Sequence, residues 1–209
     1  LLPILKIVKN ASSNIFTVYD IHENMNALYR TFSKRNFIIK EIAIMKRNLN
    51  EKKYLKFVDQ IILANPIIEG LSYQKFKIPM IVLENFVEKK YITKKKDMHK
   101  KPNLIYHGHL GPERGIEHLV KAMSIVVKTF YEAKLSLLGS FRTKSFEIKV
   151  KNLIKDLSLE KNVYIVEQVP YNLVWGILSK NTIGVIPFNK TPLTESCVPT
   201  KLFEMRASL

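Results

Sequence analysis

The stretch Gly108-His109-Leu110-Gly111-Pro112-Glu113-Arg114-Gly115 has the residue types of an anion-binding turn. Two glycines ahead of a helix let the backbone approach a ligand closely. Pro112 and Glu113 suit a first helical turn. There the free N–H groups and the positive end of the helix dipole form a seat for phosphate. Arg114 would add a charge-assisted contact. An ordinary strand-to-helix turn with a surface arginine fits the same spacing equally well. The stretch is neither a GxGxxG dinucleotide fingerprint nor a Walker loop.

A second group, Pro199-Thr200-Lys201-Leu202-Phe203-Glu204, opens another helix. Its carboxylate, Glu204, can accept two hydrogen bonds from a vicinal diol such as ribose. Lys201 meets either phosphate or solvent, and Leu202 and Phe203 are expected in the core. A third, Asp20-Ile21-His22-Glu23, closes a strand. His22 can donate to a sugar hydroxyl or a phosphate while a carboxylate fixes its tautomer. The alternative is a packed histidine beside a capping carboxylate. His107 and His109 share the spacing of a metal pair, but no third ligand is identifiable, so no metal is expected. Cys197 has no thiol-protease context and is expected to be a small, half-buried residue; Trp175 is expected in the core.

These groups need strands and helices to bring them together. Ile15–His22 is β-rich, and Asn24 to about Phe57 turns helical, with Phe37, Ile38, Glu41, Ile42, Met45 and Leu49 at three-four spacing. Asp59–Ala64 and Met80–Leu83 are short strands, and Asn65-Pro66 opens a helix between them. The Lys-rich stretch around residues 88–102, closed by Pro102, marks a domain boundary. Beyond it the alternation is regular. Strand Asn103–His107 leads to helix Arg114–Phe130, strand Lys134–Leu138 to helix Lys144–Leu157, strand Asn162–Val166 to helix Tyr171–Ser179, and strand Thr182–Pro187 to a helix near Pro199. Successive β–α units of this kind predict a parallel, doubly wound sheet. Ligands bind such sheets beyond the carboxyl ends of the strands, where the three groups above fall.

Composition narrows the function classes. The chain has 209 residues, 46% of them hydrophobic, which is enough for packed cores. One cysteine excludes an intramolecular disulfide and a Cys-rich zinc module, and fits a reducing, cytoplasmic compartment. No apolar run approaches the roughly 20 residues that cross a bilayer, and Leu1–Lys6 lacks the length and basic lead-in of a signal peptide. The chain starts with Leu and ends inside a helical pattern, so a piece of a longer protein is expected. Lys and Arg number 34 against 18 Asp and Glu, a net charge of +16. Residues 1–101 carry 20 of those basic side chains and 9 acidic ones. Most are lysines without interleaved aromatics, which argues against nucleic acid. Peripheral contact of the basic half with an anionic membrane, at its inner face, suits them better.

The ordered set Leu104-Ile105-Tyr106-His107-Gly108, Arg114-Gly115-Ile116-Glu117, Leu137-Leu138-Gly139, Asn162-Val163, Val169-Pro170, Ile186-Pro187-Phe188 and Pro199 to Met205 is similar to the nucleotide-sugar domain of family-4 retaining glycosyltransferases. Val18-Tyr19-Asp20-Ile21-His22-Glu23 and Ile81-Val82-Leu83-Glu84-Asn85 resemble strand ends of the acceptor domain of the same family. The resemblance implies the GT-B fold, two Rossmann-like domains facing across a cleft, both incomplete here. Residues 1–88 would be the end of the acceptor-side domain, 89–102 the linker and 103–209 the nucleotide-sugar domain.

It also implies roles. Arg114 matches the residue that neutralises the donor diphosphate, with Gly108, Gly111, Gly115 and Lys201 in the same lining. Glu204 matches the second Glu of a Glu-x7-Glu motif that holds the donor ribose, with Thr200 beside it. The first Glu of that motif falls at Ser196, with Glu195 one position earlier. His22 matches the catalytic histidine of the cleft. His109 stands where many relatives have Arg. The implied donor is a UDP- or GDP-linked sugar and the acceptor a glycan or a lipid-linked sugar, as in cell-surface polysaccharide synthesis. Transfer would proceed with retention and without metal or other cofactor, and the isolated fragment would lack turnover. The alternatives are another GT-B enzyme, such as a sugar-nucleotide epimerase, and a non-catalytic basic binding module.

Overall fold

The computed structural model describes residues 2–65, 73, 75–92, 102–195 and 197–208. The chain forms two compact units, Leu1–Asn85 with Thr191–Val198, and Phe86–Lys190 with Pro199–Leu209. Residues 93–101, most of the expected linker, lie outside the described residues, as does the helix expected at Asn65-Pro66 beyond Asn65.

The first unit is built on three parallel strands, β1 (Val18–Ile21), β2 (Gln60–Leu63) and β3 (Met80–Val82), in that spatial order. Ile21, Ile61 and Leu63 bury against Leu55 and Val58. Among the described residues, three helices accompany the sheet: α1 (Leu2–Ala11), α2 (Met25–Phe32) and α3 (Phe37–Leu55). The single helical stretch expected from Asn24 to Phe57 is two helices, because Asn24 and Asn36 each act as a cap. Their side chains accept from Ala27 N and Ile39 N, both at 2.9 Å. Helix α1 is anchored by Lys9, 2.6 Å from Asp59, whose carboxylate also accepts from Thr17 N at 2.7 Å. The Lys9 hydrogen bond, then those from Thr17, hold Asp59 down to about 2. A turn of helix, Pro192–Glu195, belongs to this unit through Leu193 N, which donates to Thr31 Oγ1 at 3.3 Å.

The stripe read at three-four spacing on α3 is the helix's outer face within this unit. Ile38 is 69% exposed and Leu49 61%, while Ile44, Glu51 and Leu55 form the buried face. Periodicity identifies an apolar stripe without saying which side is covered. Glu51 is tolerated inside because the Tyr19 and Tyr73 hydroxyls both donate to it, at 2.8 and 2.9 Å.

The second unit holds four parallel strands, β4 (Asn103–His107), β5 (Lys134–Leu138), β6 (Val163–Val166) and β7 (Ile183–Gly184), ordered β6-β5-β4-β7. Its helices are α4 (Ile116–Thr129), α5 (Lys144–Asp156), α6 (Tyr171–Leu178) and α7 (Thr200–Ser208). Neighbouring residues of β4 serve opposite cores, as the period of two requires. Tyr106 packs with Leu137, Ile116, Val120 and Phe146, and Ile105 packs with Leu138, Leu178 and Met205. Helices therefore cover both faces, the doubly wound arrangement of Rossmann-like sheets.

Two expected boundaries move. The helix expected from Arg114 starts at Ile116, because Gly115 takes a left-handed φ of 69° and leaves Pro112–Arg114 as a 3-10 turn. The strand expected over Thr182–Pro187 pairs only at Ile183–Gly184, with Val185 N adding one bond to Ile105 O at 2.9 Å. Pro187 has no N–H to extend the ladder.

Candidate functional site

From β4 the chain winds outward through β5 to β6, then returns to place β7 on the other side of β4. The change of direction leaves a crevice beyond the carboxyl ends of β4 and β7. Three segments line it: the loop after β4, the loop after β7, and the first turn of α7.

Gly108 leaves β4 with φ +111°, a conformation that disfavours any side chain, and a Cβ there would lie 2.6 Å from Lys201 Nζ. The Lys201 ammonium therefore rests against bare backbone. It donates to the Tyr106 hydroxyl at 3.2 Å, and that hydroxyl donates to the His109 carbonyl at 2.8 Å. The same ammonium lies 5.2 Å from the centre of the Phe188 ring. Arg114 approaches that ring as well, its Cζ 4.6 Å from the centre. Two cations from separate segments thus meet at one aromatic ring in the crevice.

Beneath the loop lies a buried carboxylate. Arg142 donates to Glu113 Oε1 at 2.7 Å, and Arg114 Nε stands 3.4 Å from the same oxygen without hydrogen-bond alignment. Gly111 leaves room for this carboxylate, since a Cβ there would come within 2.5 Å of Glu113 Oε2. Asn189 fastens the loop after β7 to the turn, donating to the Pro112 carbonyl at 2.7 Å.

Glu204 sits in α7, one turn after Lys201. His107 Nε2 lies 3.3 Å from its Oε2. The His107–Glu204 approach is no ion pair. Burial, then the Lys201 charge, pushes the imidazole down to about 4, against a hydrogen bond to the Lys201 backbone, so it is neutral near pH 7. Burial raises Glu204 above the usual carboxylate range, opposed by the Tyr171 hydrogen bond and Lys201. Burial, then the Glu204 charge and hydrogen bond, raises the Tyr171 phenol to about 12. Beside these groups opens a cavity of about 230 Å³, lined by His107, Gly108, His109, Leu138, Gly139, Gln168, Val169, Tyr171 and Val174.

Of the residues singled out in the sequence, Gly108, Gly111, Arg114, Gly115, Thr200, Lys201 and Glu204 all belong to this unit. Thr200 is exposed at the start of α7, and Leu202, expected in the core, is 49% exposed while Met205 is buried. His22 belongs to the first unit, where its Nε2 lies 2.9 Å from Asp20 Oδ2 and its side chain is 65% exposed, not packed. Glu195 closes the helical turn of the first unit, and Ser196 lies outside the described residues. Among the described residues no three His, Cys, Asp or Glu side chains are placed to hold a metal ion. Tyr171, Phe188 and Asn189 were missed as site residues. Val169-Pro170 and Ile186-Pro187-Phe188 stood next to them as signals, without a role attached.

Residues 87–197 match the family described as glycosyl transferases group 1, and the chain belongs to that family. Several solved structures share its fold. HepE of Anabaena, solved with UDP, superposes with a TM-score of 0.70 at 15% identity, covering 100% of this chain and 56% of its own. A mutant of TarM from S. aureus, solved with fondaparinux, α-GlcNAc-glycerol and UDP, gives 0.65 at 17% identity, covering 97% of this chain and 37% of its own. WaaG, a glycosyltransferase involved in lipopolysaccharide biosynthesis, gives 0.64 at 11% identity, covering 98% and 60%. The chain thus spans about a third to three fifths of the length of these proteins. No curated protein sequence matches it.

Proposed function

We propose that the chain is part of a retaining, family-4 type glycosyltransferase that uses a nucleoside-diphosphate sugar, UDP- or GDP-linked. The observation that carries this is the meeting of Lys201 and Arg114 at the Phe188 ring, in the β4–β7 crevice. Two cations beside open glycine backbone suit a diphosphate. Glu204, one turn along from Lys201, suits the ribose diol, with Thr200, Gly111 and Gly115 shaping the same lining. The cavity beside Tyr171 is of a size and position to take the base. HepE and TarM were solved with UDP, which favours this class of donor.

In the transfer, the acceptor hydroxyl oxygen bonds to the anomeric carbon on the face from which the diphosphate leaves. The bond from that carbon to the β-phosphate oxygen breaks, and the hydroxyl proton passes to the departing diphosphate. Arg114 and Lys201 stabilise the negative charge that develops there, the role a divalent cation fills elsewhere. His22 is assigned to the donor sugar as the catalytic histidine, and Ser196 to the same sugar.

The acceptor is a glycan or a lipid-linked sugar, and the first unit rests on the anionic inner face of the membrane. Supporting this, Ile38, Ile42, Met45 and Leu49 form an exposed apolar stripe on α3, with Lys46 and Lys53 along its edge. No helix among the described residues is long and apolar enough to cross a membrane.

The test is thermal stabilisation of the full chain by UDP, GDP, ADP and dTDP, beside Arg114→Ala. A ligand at 100 times its Kd adds about 2.7 kcal/mol. The expected outcome is a base-selective shift that the variant loses. A shift that survives in Arg114→Ala would remove its diphosphate role. No shift from a folded sample would favour the basic binding module.

A further inference from the structure

The loop after β5 is laced to the loop after β4. Leu110 N donates to the Ser140 carbonyl at 2.9 Å, and Arg142 N donates to the Leu110 carbonyl at 3.0 Å. Gly139 lets the two backbones meet, since a Cβ there would run into the Gly108 carbonyl. Leu110, between the two bonds, is fully buried. Arg142 therefore starts from a backbone tied to the glycine loop, and its Nη2 donates to Glu113 Oε1 at 2.7 Å. Arg114 Nε faces the same oxygen at 3.4 Å but is not aligned to donate to it. The Arg114 guanidinium rests instead against the Phe188 ring, its Cζ 4.6 Å from the centre.

We infer that Arg142 is a positioning residue for the diphosphate: by holding the Glu113 carboxylate, it keeps that carboxylate from capturing Arg114. The inference rests on the assignment of Arg114 to the donor diphosphate. The charges decide the matter. One carboxylate facing two guanidinium groups leaves one positive charge uncompensated. Glu113 is buried, so water does little to weaken its pull on either cation. Without Arg142, the carboxylate would close on Arg114 in the forked geometry that guanidinium and carboxylate favour. A diphosphate would then compete with a buried carboxylate for the same guanidinium. Arg142 acts through Glu113 and needs no contact with the ligand.

The experiment compares Kd values of the full chain for UDP, GDP and ADP, each beside its nucleoside. Arg142→Met keeps the apolar stem of the side chain and removes its charge. The expected result is about a tenfold loss for the diphosphate that binds, the scale of one hydrogen bond to a charged group. Its nucleoside should bind the variant as it binds the parent. Arg142→Lys, which keeps the charge, should recover most of the loss. In a Glu113→Gln background, Arg142→Met should add little further, because no carboxylate is left to capture Arg114.

A loss from Arg142→Met of the same size in both backgrounds would make Arg142 a direct contact of the phosphates and overturn the inference. So would equal weakening of the nucleoside, which the phosphates do not touch. Unchanged diphosphate binding in Arg142→Met alongside a loss in Arg114→Ala would also overturn it, with the diphosphate assignment still standing. If Arg114→Ala leaves diphosphate binding unchanged, or the parent binds none of the three, that assignment itself fails and the inference with it. Tm values of the variants without ligand separate any folding defect from these effects.

Discussion

Arg114 and Arg142 converge on one oxygen of Glu113, at 3.4 and 2.7 Å. Glu113 is 8% exposed, so a single buried carboxylate holds two guanidinium groups from different loops. Arg114 faces Phe188 on its other side. The side chain assigned to the diphosphate thus lies between a carboxylate and an aromatic ring before any ligand arrives.

Removing that anchor should cost stability. Glu113→Gln removes the negative charge that Arg142 and Arg114 both face, and a loss of about 2 kcal/mol is expected, below the roughly 3–5 kcal/mol for breaking a fully buried pair because the arginines reach solvent. Urea denaturation of the full chain measures it. A change within experimental error would show that the carboxylate does not anchor the loop.

Gly115 should tolerate no side chain. Its φ of 69° is left-handed, and a Cβ there would run into the Pro187 carbonyl. Gly115→Ala should destabilise the second unit by about 2 kcal/mol or more, the strain adding to the displaced backbone. A stability equal to that of the parent would mean that the Pro187 segment yields freely.

Acid should weaken the second unit through His107. Its folded value, about 4, lies below the ordinary 6.5. The unfolded chain therefore takes up this proton first. Stability from this group is complete above pH 6.5 and is lost as pH falls towards 4, by about 3 kcal/mol in all. Glu204, raised by burial, acts in the opposite sense, since protonation relieves the cost of its buried charge. In guanidinium melts between pH 7 and 4, His107→Gln should flatten the decline. An equal decline in the variant would assign it to other groups.

Membrane contact should need both parts of the α3 stripe. The full chain should sediment with phosphatidylglycerol vesicles more than with phosphatidylcholine vesicles, and less at high salt. Ile38→Asp with Met45→Asp should abolish sedimentation. Retention by the doubly substituted chain would place the contact elsewhere, and no sedimentation of the parent with either vesicle would leave the stripe to a protein partner.

Much of the second unit was legible because local signals agree with the tertiary structure there. Strands β4 and β5 run over the residues that their apolar patterns mark, and the glycine at 108 does mark a turn that needs it, whereas Gly115 was expected inside the helix. Less legible was anything set by contacts distant in sequence. Asn36 is an ordinary helix cap, yet inside the long helical pattern that starts at Asn24 it reads as an interruption too small to notice. The α3 stripe has helical spacing on a face that this unit does not cover. Glu113 looked like a helix-start carboxylate, and only the fold shows that it turns under the loop to meet Arg142. Tyr171 gave no signal of its own, because the cavity it lines is assembled from segments far apart in sequence. Lys201 could be phosphate-facing or solvated from sequence alone, and its place above Gly108 depends on the order of β4 and β7.

The contacts of Phe86 with Phe203 and of Tyr91 with Trp175 decide where the chain can be divided. A fragment begun at Pro102, the natural cut by composition, would strip the cover from Trp175 and Phe203 and present a sticky aromatic face to its neighbours. One begun at Phe86 would carry that cover with it, lysines included.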